Sequence, residues 1–244
     1  ESTYGDRLHD DRKQRVGRLG QIIERALSDG GKVLIPAFAL GRVQELLYEF
    51  DRLLSNRSAS TPGFPVFLDS PLGLEITEIY SSLTEFWDQE ARDLLSRGDR
   101  PMDFDGLYAV RNHRDHLRLV REKEGPCVIL AGSGMCTGGR IVDHLRQSLP
   151  DRRNDVLFVG YQAPGTPGRE ISSWNGKEDG TVLLDGERIP VRAQVHVLSG
   201  YSAHADQKGL MEWVAAIPER PKEIRLVHGE PGARDALARR LAAG

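Results

Sequence analysis

The chain has 244 residues and a formal net charge of −3, with 39% hydrophobic and 28% charged residues. These values are typical of a globular protein with one large or two small domains, and they exclude a chain-wide basic field for nucleic acid. No apolar run approaches the roughly 20 residues that span a bilayer, so we expect no membrane association. The two cysteines, Cys127 and Cys136, form no disulfide framework, which favours a cytoplasmic location.

The chain begins with an alternation of helix and strand. Apolar residues from Val16 to Leu27 recur on one helical face, which ends at Gly30-Gly31 as helices often do. Lys32 to Ala39 is typical of a buried strand, and a helix is predicted from Arg42 to about Leu54. A polar loop with a proline follows, from Ser55 to Gly63.

The same alternation continues through the middle of the chain. We predict further strands over 64–68, 106–110, 127–131 and 155–160, and helices after Asp69-Ser70-Pro71, within 80–105 and over 113–124 and 139–148. This rhythm implies an α/β fold in which helices cover both faces of a parallel sheet of about five or six strands. The loops at the carboxyl ends of the strands should then share one edge of the sheet.

The pattern changes near the end of this region. Thr181 to Leu198 indicates a long β stretch with a turn at Asp185-Gly186, and a domain boundary is placed there. No internal repeat or low-complexity tract is present.

A glycine-rich string, AGSGMCTGGR, follows one predicted strand and begins a helix. Its glycines let an anion approach the backbone, helix N–H groups point at that anion, and Arg140 adds a fork suited to phosphate. Because these three features coincide, we favour anion binding by Ser133, Gly134, Thr137 and Arg140 over a simple tight turn. The glycine spacing does not match a dinucleotide fingerprint. Cys136 is interpreted as a small loop residue rather than a nucleophile.

Two other strand ends carry polar loops. Arg42 lies in the first turn of its helix, where the dipole disfavours a cation, so an anionic partner is expected. That partner could be a carboxylate or a phosphate, and an ordinary surface arginine is equally consistent. The loop 161–169 is either a rigid connector or part of a shared cleft.

The string from His113 to His116, H-R-D-H, is similar to part of a dinuclear zinc motif. It lacks the other histidine of such a motif and begins the helix that carries Leu117 and Val120. Asp115 and His116 are therefore interpreted as solvated residues of a first helical turn rather than as metal ligands.

Two histidines near the end of the chain each follow an apolar, strand-like run. Val195 to Leu198 precede His204, and Ile224 to Val227 precede His228. Histidine can ligate zinc or transfer a proton near neutral pH. Glu1 could complete a carboxylate–histidine pair that orients one ring.

Taken in order, these motifs make the chain similar to the β-CASP branch of the metallo-β-lactamase superfamily. The resemblance runs from Glu1 to about Glu230 and depends on ESTYG, PAFALGR, DSPL, GSGMCTGGR, GYQAPGTPGR, YSAHAD and LVHGE. Members of that branch hydrolyse RNA or DNA with two zinc ions.

The resemblance implies a role for each of three residues. It makes Glu1 the acidic partner of His204, His204 the group that protonates the leaving oxygen, and His228 a zinc ligand. Position 228 is a histidine, as in the RNA branch of the family, whereas the DNA-repair branch has valine there. The glycine-rich loop and Arg42 would bind the substrate backbone.

The family's main zinc motif has no counterpart in this chain. A catalytic zinc needs about three protein ligands, and the chain supplies one of the family set. We therefore expect a piece of a larger protein that begins part-way through an active site, inactive alone and completed by a preceding metallo-β-lactamase segment. Residues 1–7 would end that segment, 8–190 would form the β-CASP domain, and 191–244 would return to the metallo-β-lactamase fold as a β/α piece.

Two alternatives stay open beside a zinc-dependent ribonuclease. One is a non-catalytic RNA-binding scaffold that has lost its metal site. The presence of Glu1, His204 and His228 disfavours this alternative. The other is a DNA nuclease of the same family, which His228 disfavours. A homodimer is compatible with the sequence but is not indicated by any pattern in it.

Overall fold

The computed structural model describes residues 1–55, 63–177 and 180–243. The polar loop predicted from Ser55 to Gly63 lies largely outside these residues. The chain forms two compact units. Arg15–Leu198 is called the sheet unit, and Glu1–Gln14 with Ser199–Gly244 is called the terminal unit.

The sheet unit contains an α/β core in which strands and helices alternate, as the sequence predicts. Its described strands are β1 Lys32–Pro36, β2 Val66–Asp69, β3 Leu107–Ala109, β4 Cys127–Ala131, β5 Asp155–Phe158, β6 Gly180–Leu184, β7 Glu187–Val191 and β8 Gln194–Val197. Its described helices are α1 Arg15–Asp29, α2 Arg42–Ser55, α3 Pro71–Ser82, α4 Gln89–Ser96, α5 His113–Glu122, α6 Arg140–Ser148 and α7 Pro167–Ser172.

Six of the described strands form one sheet in the order β3-β2-β4-β1-β5-β8. Every neighbouring pair is parallel. The predicted parallel α/β sheet is therefore confirmed. Because all six strands run the same way, the loops that follow β1, β2, β4 and β5 leave from one edge.

Helices cover both faces of this sheet. Along β1, Leu34 packs into a core with Ile141 and Leu145 of α6 and with apolar residues of β6 and β7. The alternate residues Val33 and Ile35 are equally buried but lie outside that core. This two-sided burial explains why the strands are almost continuously apolar.

A two-stranded antiparallel hairpin, β6–β7, follows α7. Its turn is Asp185-Gly186, as predicted, and both residues have positive φ, at 48° and 81°. Such a turn matches the twist of a hairpin. The next strand, β8, pairs with β5 and so belongs to the main sheet. The sheet unit consequently ends after Leu198, whereas the sequence places domain boundaries at 7/8 and 190/191.

The terminal unit is built from the two ends of the chain. It contains the helices α8 Gln207–Ala215 and α9 Pro231–Ala243. The strand-like run from Ile224 to Val227 is not in a strand, because no described strand of this unit pairs with it. No described helix in either unit has both the length and the apolar character needed to cross a membrane.

Candidate acid–histidine site and glycine-rich loop

The terminal unit fixes its N-terminal segment against the segment that carries His204. Asp206 caps α8 by accepting from the Gly209 N–H at 2.9 Å, and its other oxygen accepts from the His9 N–H at 3.0 Å. Burial would raise the pKa of Asp206, but these two backbone donors hold it below its usual value. The His9 ring also donates to the His204 carbonyl at 2.8 Å. Residues at opposite ends of the chain are thereby brought together.

Glu1, His204 and His228 meet around one carboxylate oxygen. Glu1 Oε2 lies 2.7 Å from Nδ1 of His204 and 3.2 Å from Nδ1 of His228. The two imidazole rings stack at 5.5 Å between centroids. Both rings use Nδ1, and no described residue is hydrogen-bonded to Nε2 of either ring. The Nε2 atoms are therefore the ring nitrogens available to bind a metal ion or to transfer a proton.

The Glu1 carboxylate is held in its charged form. Burial alone would raise the pKa of Glu1, but the Thr3 backbone N–H, which donates at 2.6 Å, and the bond with His204 lower it to about 2. An ionised carboxylate on Nδ1 fixes the tautomer of a neutral imidazole and leaves Nε2 as a lone-pair donor. The same carboxylate stabilises an imidazolium, which can donate a proton from Nε2.

His228 is also held by its own neighbours. Thr3 Oγ1 lies 3.2 Å from its Nδ1, and Ser2 donates a hydrogen bond to its carbonyl. At Gly229, where φ is 137°, an added Cβ would lie only 2.6 Å from Ser2 Oγ. This close approach requires glycine after the histidine.

By residue type, these three residues can hold a metal ion. Glu1, His204 and His228 each offer a ligand atom, and the three atoms lie within 4.8 Å of one another. Imidazole and carboxylate ligands suit Zn²⁺. Because Nδ1 of both rings is already bonded to Glu1, only the Nε2 atoms are left to ligate an ion.

The glycine-rich loop, residues 132–139, contacts the loops that follow the neighbouring strands. The Phe38 ring, after β1, packs so closely on Gly134 that an added Cβ would lie 2.9 Å from it. Gln162, after β5, donates to the Gly134 carbonyl at 2.9 Å. The Gly168 N–H donates to the Met135 carbonyl at 3.0 Å. The prediction that these loops share one edge of the sheet is confirmed.

Within this loop the predicted anion-binding residues lie close together. Ser133 Oγ accepts from the Thr137 N–H at 3.0 Å, and Thr137 is exposed while Gly134 is buried. Arg140 Nη1 donates to Asp69 Oδ1 and to the Val110 carbonyl, each at 2.8 Å. Arg140 therefore has protein partners, and its contact with phosphate stays a prediction.

Two neighbouring expectations can be compared with the structure. Arg42 forms an ion pair with Glu45 one helical turn away, so the anionic partner within the chain is a carboxylate. Its contact with substrate stays a prediction. Cys136 is buried, and burial raises the pKa of its thiol to about 12. The protonated thiol is a poor nucleophile, which agrees with a packing role.

The interpretation of His116 as a solvated residue is wrong. It is 1% exposed, and its Nδ1 lies 2.6 Å from Asp69 Oδ2. His144 Nε2 lies 2.6 Å from the same oxygen. Position 116 lies one helical turn before the buried Leu119, so the spacing places it on the inner face of α5. Asp115 is exposed, as predicted.

Comparisons with known proteins agree with the motifs. Residues 43–171 match the family described as Beta-Casp domain, and residues 188–244 match the Zn-dependent metallo-hydrolase RNA specificity domain. The chain is 40% identical over 242 residues to Ribonuclease TTHA0252 of Thermus thermophilus. It is 36% identical over 236 residues to Transcription termination factor FttA of Methanocaldococcus jannaschii and to that of Pyrococcus abyssi.

These matches cover almost all of the chain but only part of each relative. The alignments include 99% of the chain against the Thermus protein and 94% and 95% against the archaeal ones. They include 53% of the Thermus protein and 36% of each archaeal factor. The parallel α/β sheet, the ordered motifs and the family matches agree, so the chain belongs to the β-CASP family of metallo-β-lactamase-type, RNA-processing nucleases.

Proposed function

We propose that this chain is the β-CASP portion of a zinc-dependent ribonuclease and supplies its general acid. The observation that carries the proposal is the Glu1 carboxylate bonded to Nδ1 of both His204 and His228. His204 protonates the departing ribose oxygen through Nε2 when an RNA phosphodiester is hydrolysed. Glu1 orients that ring and stabilises its charged form.

His228 is assigned to the metal rather than to proton transfer. Its side chain is 65% exposed, whereas that of His204 is 37% exposed. As a metal ligand, His228 would offer the lone pair of its Nε2 to an ion whose other ligands come from a different segment. The more exposed of the two histidines is better placed to reach such an ion. Two zinc ions would supply Lewis acidity for the phosphate. The roles of His204 and His228 therefore differ although both share Glu1.

The glycine-rich loop supports RNA-backbone binding by the sheet unit. It lies at the carboxyl edge of a parallel sheet and leads into the N-terminus of α6, both of which favour anion binding. Ser133, Gly134 and Thr137 would contact phosphate directly. The preference for RNA rests on the family match and on His228.

The terminal unit has apolar surface suited to a further segment of the metallo-β-lactamase fold. Val227 is 77% exposed and Trp213 is 70% exposed. Ile224 is also exposed and borders a cavity with Met211 and Leu241. Large apolar patches typically mark sites that another protein surface covers. We propose that a metallo-β-lactamase segment pairs with residues 224–227 and supplies the other zinc ligands.

The proposal is tested in a longer polypeptide that contains the metallo-β-lactamase segment. His204→Ala should lower RNA turnover about 100- to 10,000-fold, as the loss of one general acid does, while zinc content stays unchanged. His228→Ala should lower zinc content and activity together. Glu1→Gln should lower turnover in the same way as His204→Ala but less strongly, because it removes the carboxylate that orients the ring. Metal analysis and single-turnover cleavage measure these effects.

The exposed His113 of the sheet unit provides the matched control, because His113→Ala should change neither zinc content nor turnover. Equal losses of zinc in the His204 and His228 variants would contradict the division of roles. Matched RNA and DNA strands decide between the two nuclease types. RNA binding without cleavage by the unsubstituted protein would instead indicate the scaffold alternative.

A further inference from the structure

Asp69, a fully buried carboxylate at the end of β2, is connected to both ends of the glycine-rich loop. It is the register partner of Ala131, the residue before the loop. Its Oδ1 accepts from Arg140, the residue after the loop, at 2.8 Å. Arg140 also donates to the Val110 carbonyl, just beyond β3. Asp69 therefore adjoins the start of the loop through the pairing of β2 with β4, and its carboxylate holds the residue at the end of the loop.

The second oxygen of Asp69 faces two imidazole nitrogens. His116 Nδ1 and His144 Nε2 each lie 2.6 Å from Oδ2. The other nitrogen of His116 differs from that of His144, because His116 Nε2 lies 3.0 Å from Asp143 Oδ2. A carboxylate oxygen accepts hydrogen bonds, so a ring between two carboxylates carries a proton on each nitrogen.

This assignment balances the charges of the cluster. Asp69 and Asp143 are negative, while Arg140 and a doubly protonated His116 are positive. Burial would raise the pKa of Asp69, but the hydrogen bonds from His144 and His116 lower it. Burial lowers the pKa of His144, which favours its neutral form. Buried charges are stable when they are paired and hydrogen-bonded in this way.

By residue type, Asp69, His116 and His144 could also ligate a metal ion. Their geometry favours hydrogen bonds. Two ligands of one tetrahedral zinc ion lie about 3.3 Å apart, given bonds of about 2.0–2.1 Å. The observed oxygen–nitrogen distances are 2.6 Å. The Arg140 guanidinium on the same carboxylate would also repel a divalent metal ion.

We propose that Asp69, His116, Arg140 and Asp143 form an ionic clamp that positions the glycine-rich loop, with His116 a cation donating from both ring nitrogens. The clamp deepens the proposed function, since that loop is the proposed phosphate contact. These are positioning residues, because each acts on phosphate through the loop.

The groups around His116 come from three elements. Asp69 faces it from β2, and Asp143 and His144 face it from α6, with the His144 ring 5.3 Å away. On its own helix, His113 stacks at 5.7 Å. Removal of either His116 donor would leave one of the two carboxylates without its partner, so the loop should loosen and bind phosphate more weakly.

The protonation state is tested directly by nitrogen-15 NMR of the histidine rings in the whole chain. At pH 7, both nitrogens of His116 should show the shifts of protonated imidazolium nitrogens, and His144 should show one protonated nitrogen. A bare nitrogen on His116 at this pH would overturn the clamp. So would a stoichiometric metal ion bound by these histidines, detected by metal analysis of the chain in the His228→Ala background.

Positioning is tested with a matched pair of variants. His116 and His144 are both buried and bond the same Asp69 oxygen, but only His116 bridges two carboxylates. Glutamine can donate to one of the two carboxylates but not to both, because both of its N–H groups are on a single nitrogen. In His116→Gln, hydrogen exchange at the Ser133, Cys136 and Thr137 amides should be roughly tenfold faster, and inorganic phosphate should bind roughly tenfold more weakly, as loss of a charged hydrogen bond implies.

His144→Gln should change both quantities less than about twofold, since its single donor is retained. His113→Gln, on the exposed side of α5, should change neither. Equal effects of the His116 and His144 variants would overturn the clamp. The two proposals can fail separately. If the nitrogen-15 shifts and the amide exchange rates are as expected but the unsubstituted chain binds no phosphate, the clamp is supported and the proposed phosphate contact is wrong.

Discussion

Burial of single charged side chains gives this protein a distinct pH dependence. Asp51 of α2 is 6% exposed, and burial together with nearby Asp99 raises its pKa to about 6. Its usual value is 3.8. A carboxyl group whose pKa rises on folding stabilises the folded state at low pH, and this contribution is lost as the pH rises from 3.8 through 6.

Asp51→Asn should therefore stabilise the protein at pH 7 by about 3 kcal/mol, since each pKa unit is worth about 1.4 kcal/mol. The gain should vanish toward pH 4, where the wild-type carboxyl group is already neutral. Urea unfolding at both pH values measures the difference. Asp103, whose side chain is 80% exposed, is the control, and Asp103→Asn should have little effect at either pH. A gain that is equal at both pH values would contradict the role of the Asp51 charge.

The elements that the sequence predicted well depend on local signals. The buried strands are short apolar runs bounded by glycine, proline or polar residues. The first residues of β1, β2 and β4 lie within two residues of the predicted first residues. The hairpin turn was predictable because Asp-Gly suits two successive positive φ angles. Ser70 also caps α3, accepting from the Gly73 N–H at 3.1 Å, with Pro71 in the first turn.

The Asp69 cluster could not be predicted from such signals, because its partners are distant in the sequence. Asp69 is 47 residues from His116 and 75 from His144. Only the pairing of β2 with β4 brings α5 and α6 over the same carboxylate. The residues alone suggested that Glu1 could pair with a histidine, and only the family resemblance identified that partner as His204, 203 residues away.

Arg140 gives an element-scale prediction about the glycine-rich loop. Its guanidinium is bonded to Asp69 and Val110, so Arg140→Ala should weaken the binding of a single-stranded RNA oligonucleotide by loosening the loop. The slope of log affinity against log salt should stay unchanged, because no phosphate contact is removed. A slope smaller by about 0.7 would show that Arg140 contacts phosphate directly, as the sequence alone suggested. Arg146→Ala, on the same helix, is the control for a general loss of positive charge.

At the scale of the whole molecule, the two units divide the proposed work. The sheet unit carries the glycine-rich loop and its buried clamp, and the terminal unit carries Glu1, His204 and His228. Among its described residues, the terminal unit has α8, α9, a 3-10 helix at Ser199–Tyr201 and irregular segments, and no strand. Residues 224–227 form an apolar run that pairs with no described strand. Such a run is expected in a β/α layer whose neighbouring strand belongs to another segment.

This division predicts how the 244-residue chain behaves alone. A catalytic zinc needs about three protein ligands, and in the terminal unit Nδ1 of both histidines is already bonded to Glu1. Two Nε2 atoms are too few, so the chain should bind zinc weakly and should cleave RNA no faster than background, with or without added zinc. It should still bind inorganic phosphate through the sheet unit. Adding the metallo-β-lactamase segment as a separate polypeptide should restore tight zinc binding and cleavage, and His228→Ala should abolish that restoration. Robust zinc-dependent cleavage by the unsubstituted chain alone would mean that its own residues complete the metal site and that the division of labour proposed here is wrong.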